Sequence, residues 1–353
     1  MPREVAALAP RRLVIRECEE PPLKPNEARV RSMLSSEKHG TNLAVYRGVA
    51  PTVRKVFDPK MGIFLQKGSR RMWPSPFPML MGNMTVGLIV EVGREVKRFK
   101  VGDRVYGYLG LRETHTVPED EIYPAPPDLS DEELVCIDPM VVALMAIREG
   151  NVKLGERVAI FGLGAIGLMA TQMARISGST LIVGVEPFEK RRKLAERYGA
   201  DITLNPEECD AGLEIRRLTG GKGVDISIEA SGSYNALHQA IRATAYGGTV
   251  VPVSWYHGEA EGLNLGEEWH FNRQIMVSGA RVESEPYRDH PRWDRERIYR
   301  TVIHLLRRKK LTVDDLLDPI VNFEDVIEAY KLIDEEPEKT IKLAVRYEWK
   351  GKA

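Results

Sequence analysis

Residues 155–175 read GERVAIFGLGAIGLMATQMAR, and the fold turns on them. RVAIF is an apolar, β-prone run, and AIGLMATQMAR has the texture of a helix, with Gly162-Leu163-Gly164-Ala165-Ile166-Gly167 at the junction. In a strand–turn–helix setting each glycine has its own task. Gly162 permits the tight turn, Gly164 lets backbone approach a pyrophosphate, and Gly167 allows close helix–strand packing. The amides at the helix start, Ile166 among them, then face phosphate oxygens, and the helix dipole favours their negative charge. A glycine pattern alone also marks ordinary tight turns. The flanking strand and helix give this one its weight.

Downstream, TLIVGVEP is a second strand, and it ends at Glu186, 19 residues after Gly167. An acidic side chain there accepts hydrogen bonds from the adenosine ribose and repels a 2′-phosphate, so NAD(H) is the expected cofactor. Arg191 and Arg192 follow at helical spacing, as solvated surface or as partners for the extra phosphate of NADP. Further strands (DITLN, VDISIEA, TVVPVSW) alternate with helical stretches. That alternation predicts a parallel, doubly wound sheet covered on both faces, and the near-continuous apolar strands agree.

Residues 1 to about 135 differ. Short runs such as EARVRSML and VGLIVEVG alternate apolar and polar residues between Pro and Gly, as half-buried strands do. The 353 residues suit two domains, and 43% hydrophobic residues suffice for packed cores. Lys plus Arg (51) balances Asp plus Glu (51), so the basic excess of a nucleic-acid binder is missing. Cys18, Cys136 and Cys209 are too far apart for a zinc knuckle or disulfide framework, which fits a reducing compartment. Prolines break the uncharged stretch Met72–Val90 and glycines break Val158–Ala174, so neither reads as a bilayer span. With no signal-peptide pattern at the start, the expectation is a cytoplasmic protein without membrane or nucleic-acid partners.

The stretches VGLIVEVGREVKRFKVGDRVYGY and GERVAIFGLGAIGLMATQMAR, with the later EKTIKLAV, resemble the medium-chain dehydrogenase/reductase superfamily. The resemblance implies a GroES-like, β-rich catalytic domain (1–138 and 284–353) around a Rossmann NAD-binding domain (139–283). Most members hold a catalytic zinc through a Cys-Gly-Thr-Asp motif, a His-Glu pair and an acidic residue. Here the matching positions read His39-Gly40-Thr41-Asn42, Gly82-Asn83-Met84 and Asp138-Pro139, and the four-cysteine structural zinc loop is missing. A catalytic zinc needs three good protein ligands, so no metal is expected. The segments GTNLAVYRG, VFDPKMGIFLQKGS, WYHG and EEWHFNR are similar to a zinc-less branch that includes 2-desacetyl-2-hydroxyethyl bacteriochlorophyllide dehydrogenase.

Without the metal, side chains must stabilise the oxyanion and move the proton. The resemblance puts Thr41 at the family's relay hydroxyl and His39 at the position of the metal-binding thiolate, as an acid/base or a buried structural histidine. Tyr256 and His257 follow a strand at the carboxyl edge of the sheet, as further proton donors or as pocket walls. Lys342 matches the family's pyrophosphate-contacting basic residue. Glu37 and Lys38 are weaker candidates, and His270, Asn272 and Arg273 form a polar cluster without an assigned role.

The stretch from Arg47 to Arg71 adds Arg54, Lys55, Lys60, Lys67 and Arg70 against one acid, Asp58. Such a segment draws in an anionic substrate or solvates a face, and its Met61, Phe64, Met72, Trp73 and Phe77 suit a lid or subunit contact. The expectation is an NAD(H)-dependent, zinc-independent dehydrogenase. It would interconvert a secondary alcohol and a ketone of sugar, cyclitol or hydroxyethyl-ring type, as a homodimer or homotetramer. Two alternatives stand beside it: an NAD(P)H-dependent enone or quinone C=C reductase, and a non-catalytic NAD-binding protein.

Overall fold

The computed structural model describes residues 1–66, 77–279 and 292–349. Two compact units emerge: unit 1 joins Met1–Cys136 to Leu317–Ala353, and unit 2 is Ile137–Leu316.

Unit 1 opens with strands β1 (Arg3–Ala9), β2 (Arg12–Glu17) and β3 (Glu27–Ser36), followed by helix α1 (His39–Tyr46) and a short turn of helix, α2 (Pro51–Arg54). A hairpin of β4 (Lys55–Asp58) and β5 (Ile63–Gln66) comes next, then β6 (Met79–Leu80), β7 (Met84–Val92), β8 (Arg104–Gly107), β9 (Thr114–Pro118), β10 (Ile122–Pro124) and α3 (Asp131–Val135). In unit 2, α4 (Ile137–Glu149) leads to β11 (Arg157–Phe161), α5 (Ala165–Ile176), β12 (Leu181–Val185), α6 (Glu189–Arg197) and β13 (Ile202–Leu204). Its second half runs α7 (Ala211–Leu218), β14 (Val224–Glu229), α8 (Tyr234–Ala243), β15 (Thr244–Pro252), α9 (Glu268–Phe271), β16 (Ile275–Met276) and α10 (Arg295–Arg307). The chain then returns to unit 1 with β17 (Leu317–Asn322), α11 (Val326–Glu335) and β18 (Lys342–Arg346). No helix among the described residues is long and apolar enough to cross a membrane.

The sheet of unit 2 has the order β13-β12-β11-β14-β15-β16, with every pairing parallel. The strand order reverses between β11 and β14, the crevice where doubly wound sheets take ligands. Val158, Ala159, Ile160 and Phe161 are all buried, which explains why β11 is apolar without alternation after Arg157. The expected boundary at 283/284 falls outside the described residues; the two compact units divide at 316/317. The reason is α10: it buries Ile298, Tyr299, Val302 and Leu306 and packs against α4, which makes it part of unit 2.

Unit 1 holds its main sheet in the order β10-β8-β7-β3-β18-β17, with β9 also on β3. The alternation in β3 places Ala28 and Val30 in a core with Ile89, Phe99, Val105 and Ile122. A second core joins Leu43 and Tyr46 of α1 to Tyr330 of α11 and Leu343 of β18. The β4–β5 hairpin pairs with no other described strand and leaves Phe57, Ile63, Phe64 and Leu65 exposed. The rest of the expected basic segment, with Lys67, Arg70, Arg71, Met72 and Trp73, lies outside the described residues.

His115 on β9 sits opposite Val30 and is 5% exposed. Burial, assisted by the nearby Arg112 charge, pushes its imidazole down to about 3. A histidine depressed below its unfolded value contributes stability above pH ~6.5 that is lost as pH falls. Between pH 7.5 and 5.0 the wild-type protein is expected to lose about 2 kcal/mol more than a His115→Gln variant, by urea unfolding.

Candidate active site

After β11 the backbone turns at Gly162, whose φ of +88° is left-handed and whose added Cβ would lie 2.6 Å from the Ser231 amide nitrogen. A Cβ on Gly167 would meet the Gly162 carbonyl oxygen at 1.9 Å, so α5 rests on the turn only because that position is bare. A Cβ on Gly164, the N-cap, would meet nothing within 4 Å, and no side chain caps the helix. The first turn of α5, with Ile166, carries no acidic residue, so its amides form an anion-receiving end.

Two buried carboxylates flank this turn. Glu186, at the end of β12, is 3% exposed. Its Oε2 accepts the Leu163 amide at 2.7 Å, and Oε1 accepts the Phe188 amide at 3.4 Å. Burial raises its pKa, against the pull of Arg191, whose Nη1 lies 3.7 Å away. The two arginines are thus more than solvated surface. Arg192 donates to the carbonyls of Glu186 and Pro187 at 2.8 and 2.5 Å, and Arg191 lies over the Phe188 ring.

Glu229 ends β14, and the sequence reading overlooked it. It accepts the Ser231 amide at 2.7 Å, the Gly232 amide at 3.2 Å, the Ser231 hydroxyl and the Tyr256 hydroxyl. An acid closing the otherwise apolar run VDISIE was the available signal. Tyr256 also packs against Tyr234, with ring centroids 5.0 Å apart, and burial beside Glu229 drives its phenol far above the usual range. The hydroxyl donated to this buried carboxylate ties the loop of Tyr256 to the end of β14. His257 meets Trp255 edge-on at 5.0 Å. His270 stacks edge-on with Phe271, and the Asn272 carbonyl accepts the Gly247 amide at 2.8 Å.

In unit 1 the candidates gather at the start of α1. His39 Nε2 accepts the Leu343 amide at 2.9 Å, which leaves Nδ1 to carry the hydrogen of the neutral ring. Protonating Nε2 would break that bond. Thr41 is partly exposed on the first turn of the same helix. Lys342 is 2% exposed, and its ammonium donates to the Glu37 carbonyl at 2.5 Å. Glu37 is fully buried; its carboxylate accepts the Lys38 amide at 2.9 Å and the Tyr330 hydroxyl. Burial pushes the Glu37 carboxyl up to about 7.

Comparison with known proteins sets these features in a family. Residues 56–127 match the alcohol dehydrogenase GroES-like domain, and residues 165–292 match the zinc-binding dehydrogenase family. D-guloside 3-dehydrogenase of Escherichia coli K12 is 38% identical over 98% of this chain and 100% of its own length. The chain belongs to the medium-chain dehydrogenase/reductase superfamily. This dehydrogenase-type oxidoreductase has the superfamily's fold, a GroES-like unit and a Rossmann-like parallel sheet. The crystal structure of 2R,3R-butanediol dehydrogenase from Bacillus subtilis aligns with a TM-score of 0.76 at 27% identity, covering 98% of this chain and 99% of that one. A zinc-binding dehydrogenase from Sinorhizobium meliloti 1021, bound to NADP, aligns at 0.76 and 19% identity, covering 98% and 99%.

The family description names zinc, and the positions the resemblance gives for its ligands in unit 1 are His39 and Asn83. His39 has its Nε2 engaged, and Asn83 offers an amide whose buried Nδ2 has no hydrogen-bond partner. Among the described residues, the one group of three His, Cys, Asp or Glu side chains close enough to share an ion is His238, Glu267 and Glu268 of unit 2. There Arg242 already occupies Glu268 at 3.2 Å.

Gly162→Ala combines the left-handed φ with the Ser231 clash. It is expected to abolish NADH binding, read as loss of the fluorescence change on titration.

Proposed function

We propose that this protein is a zinc-independent, NAD(H)-dependent dehydrogenase of a secondary hydroxyl on a sugar or glycoside, in a zinc-less branch of its superfamily. The observation that carries the reading is the full-length, 38% match to D-guloside 3-dehydrogenase. The buried Glu186 carboxylate on the Leu163 amide supports NAD(H) over NADP(H), because it sets a negative charge where a 2′-phosphate would lie. Unit 2 would hold the dinucleotide along Gly162, Gly164, Ile166, Gly167 and Glu186. When bound, the nicotinamide accepts or returns the hydride. Unit 1 supplies the oxygen chemistry. His39 and Thr41 are the candidate donors to the developing oxyanion, each such donor being worth roughly 3 kcal/mol. A hydroxyl both donates and accepts, so Thr41 is the member of the pair that passes the proton on. The exposed β4–β5 hairpin, with Phe57 and Phe64 at its surface, supports a homo-oligomer.

The test is a panel of glycosides, free sugars and simple secondary alcohols with NAD+ and NADP+, before and after exhaustive chelation. Turnover of a glycoside or sugar is expected, at least tenfold better with NAD+ and unchanged within twofold by chelation. Loss of activity on chelation, restored by Zn2+, would overturn the zinc-free reading. Preferential reduction of enones with NADPH would replace the function itself.

Thr41→Val removes the hydroxyl at nearly constant volume. A fall in kcat of about 10²-fold or more is expected, with the melting temperature little changed and activity largely restored by Thr41→Ser.

A further inference from the structure

Five bonds converge on Glu37, Lys38 and His39 at the start of α1, and three of them involve the adjacent β18 residues Lys342 and Leu343. The Lys342 ammonium donates to the Glu37 carbonyl at 2.5 Å, and the Leu343 amide donates to His39 Nε2 at 2.9 Å. The Glu37 amide answers by donating to the Leu343 carbonyl at 3.0 Å. From α11, the Tyr330 hydroxyl donates to the Glu37 carboxylate, whose other oxygen takes the Lys38 amide at 2.9 Å. Lys38 is the N-cap of α1 and makes no side-chain cap bond, while Glu37 satisfies the amide of Lys38 itself. On the far side, the Asn42 side-chain amide donates to the Gly82 carbonyl at 3.0 Å.

We propose that Lys342, Glu37 and Tyr330 form a buried clamp that sets the attitude of His39 and Thr41, and that Lys342 serves this clamp in place of the cofactor pyrophosphate. The proposal rests on the dehydrogenase reading above and concerns the division of labour inside it. Burial argues for the clamp. A lysine 2% exposed and a glutamate fully buried lose their hydration, and burying two ionisable groups adds little net stability. What such a pair does well is favour one arrangement over its neighbours. Here that arrangement includes the ring nitrogen of His39 and the first turn carrying Thr41. A shift of about 1 Å in a donor to a reacting oxygen is enough to cost about 10²-fold in rate.

The family resemblance and the clamp assign Lys342 opposite kinetic signatures. If Lys342 held the pyrophosphate, Lys342→Met would raise the NADH dissociation constant tenfold or more and leave kcat near wild type at saturating cofactor. Loss of a clamp would leave the NADH dissociation constant within twofold, lower kcat at least tenfold, and raise the primary deuterium isotope effect on kcat as hydride transfer becomes limiting. Tyr330→Phe removes one hydroxyl from the same clamp and guards against a lysine variant that fails to fold. It is expected to lower kcat and raise the isotope effect in the same direction. A general loss of stability would lower the melting temperature and the active fraction, yet leave kcat per NADH-binding site and the isotope effect unchanged, and that outcome overturns the proposal. So does a tenfold weaker NADH affinity in Lys342→Met. The NADH titration needs no turnover. A wild-type protein that binds NADH but oxidises no sugar would therefore sink the dehydrogenase reading separately.

Discussion

The turn between β11 and α5 is held by two carboxylates that the sheet places on either side of it. Parallel register brings Phe161 level with Val185 on one side and with Glu229 on the other, so the strands end together. Glu186 then takes the Leu163 amide, while Glu229 gathers the Gly232 amide and the Ser231 amide against which Gly162 is packed. Backbone amides that would otherwise be orphaned at a buried strand end are thereby satisfied. Both acids bear a desolvation penalty that raises their pKa. The rest of unit 2 is arranged so that this corner stays rigid and the amides of α5 remain available.

Unit 1 solves a different problem. Its candidate residues sit on a short helix, and eight residues make too few internal bonds to be stable alone. Packing of Leu43 and Tyr46 against Tyr330 and Leu343 fixes the helix body. The polar contacts of Glu37, Lys342 and Leu343 fix its start. The partners that do this from outside the helix come from α11 and β18, which lie far along the chain.

That separation explains what could be read from the sequence. The parallel sheet was legible because glycine spacing and apolar strands are local signals, and Gly162, Gly167 and Glu186 sit where their spacing places them. Where side chains choose between partners, the sequence was silent. Tyr256 has the chemistry of a proton donor, yet a buried acid 27 residues earlier claims its hydroxyl. Lys342 has the look of a phosphate contact, yet its ammonium reaches a carbonyl 305 residues upstream. The extent of unit 2 is set in the same way. Helix α10 is amphipathic in either unit, and only its packing on α4 shows which one it completes.

The pairing of β18 with β3 joins Ala344 to Ser36, roughly three hundred residues apart, across the whole of unit 2. During synthesis the segment around residue 36 must therefore wait, its sheet edge open, until β18 emerges. Unit 2 lies entirely within that interval and can close first, since domains generally fold as units as they are made. Unit 1 is the late partner in assembly, and an open β3 edge during the delay is a place for misplaced strands to dock. Its exposure to chaperones, and its sensitivity to slowed translation of the closing segment, follow from where one strand sits in the chain.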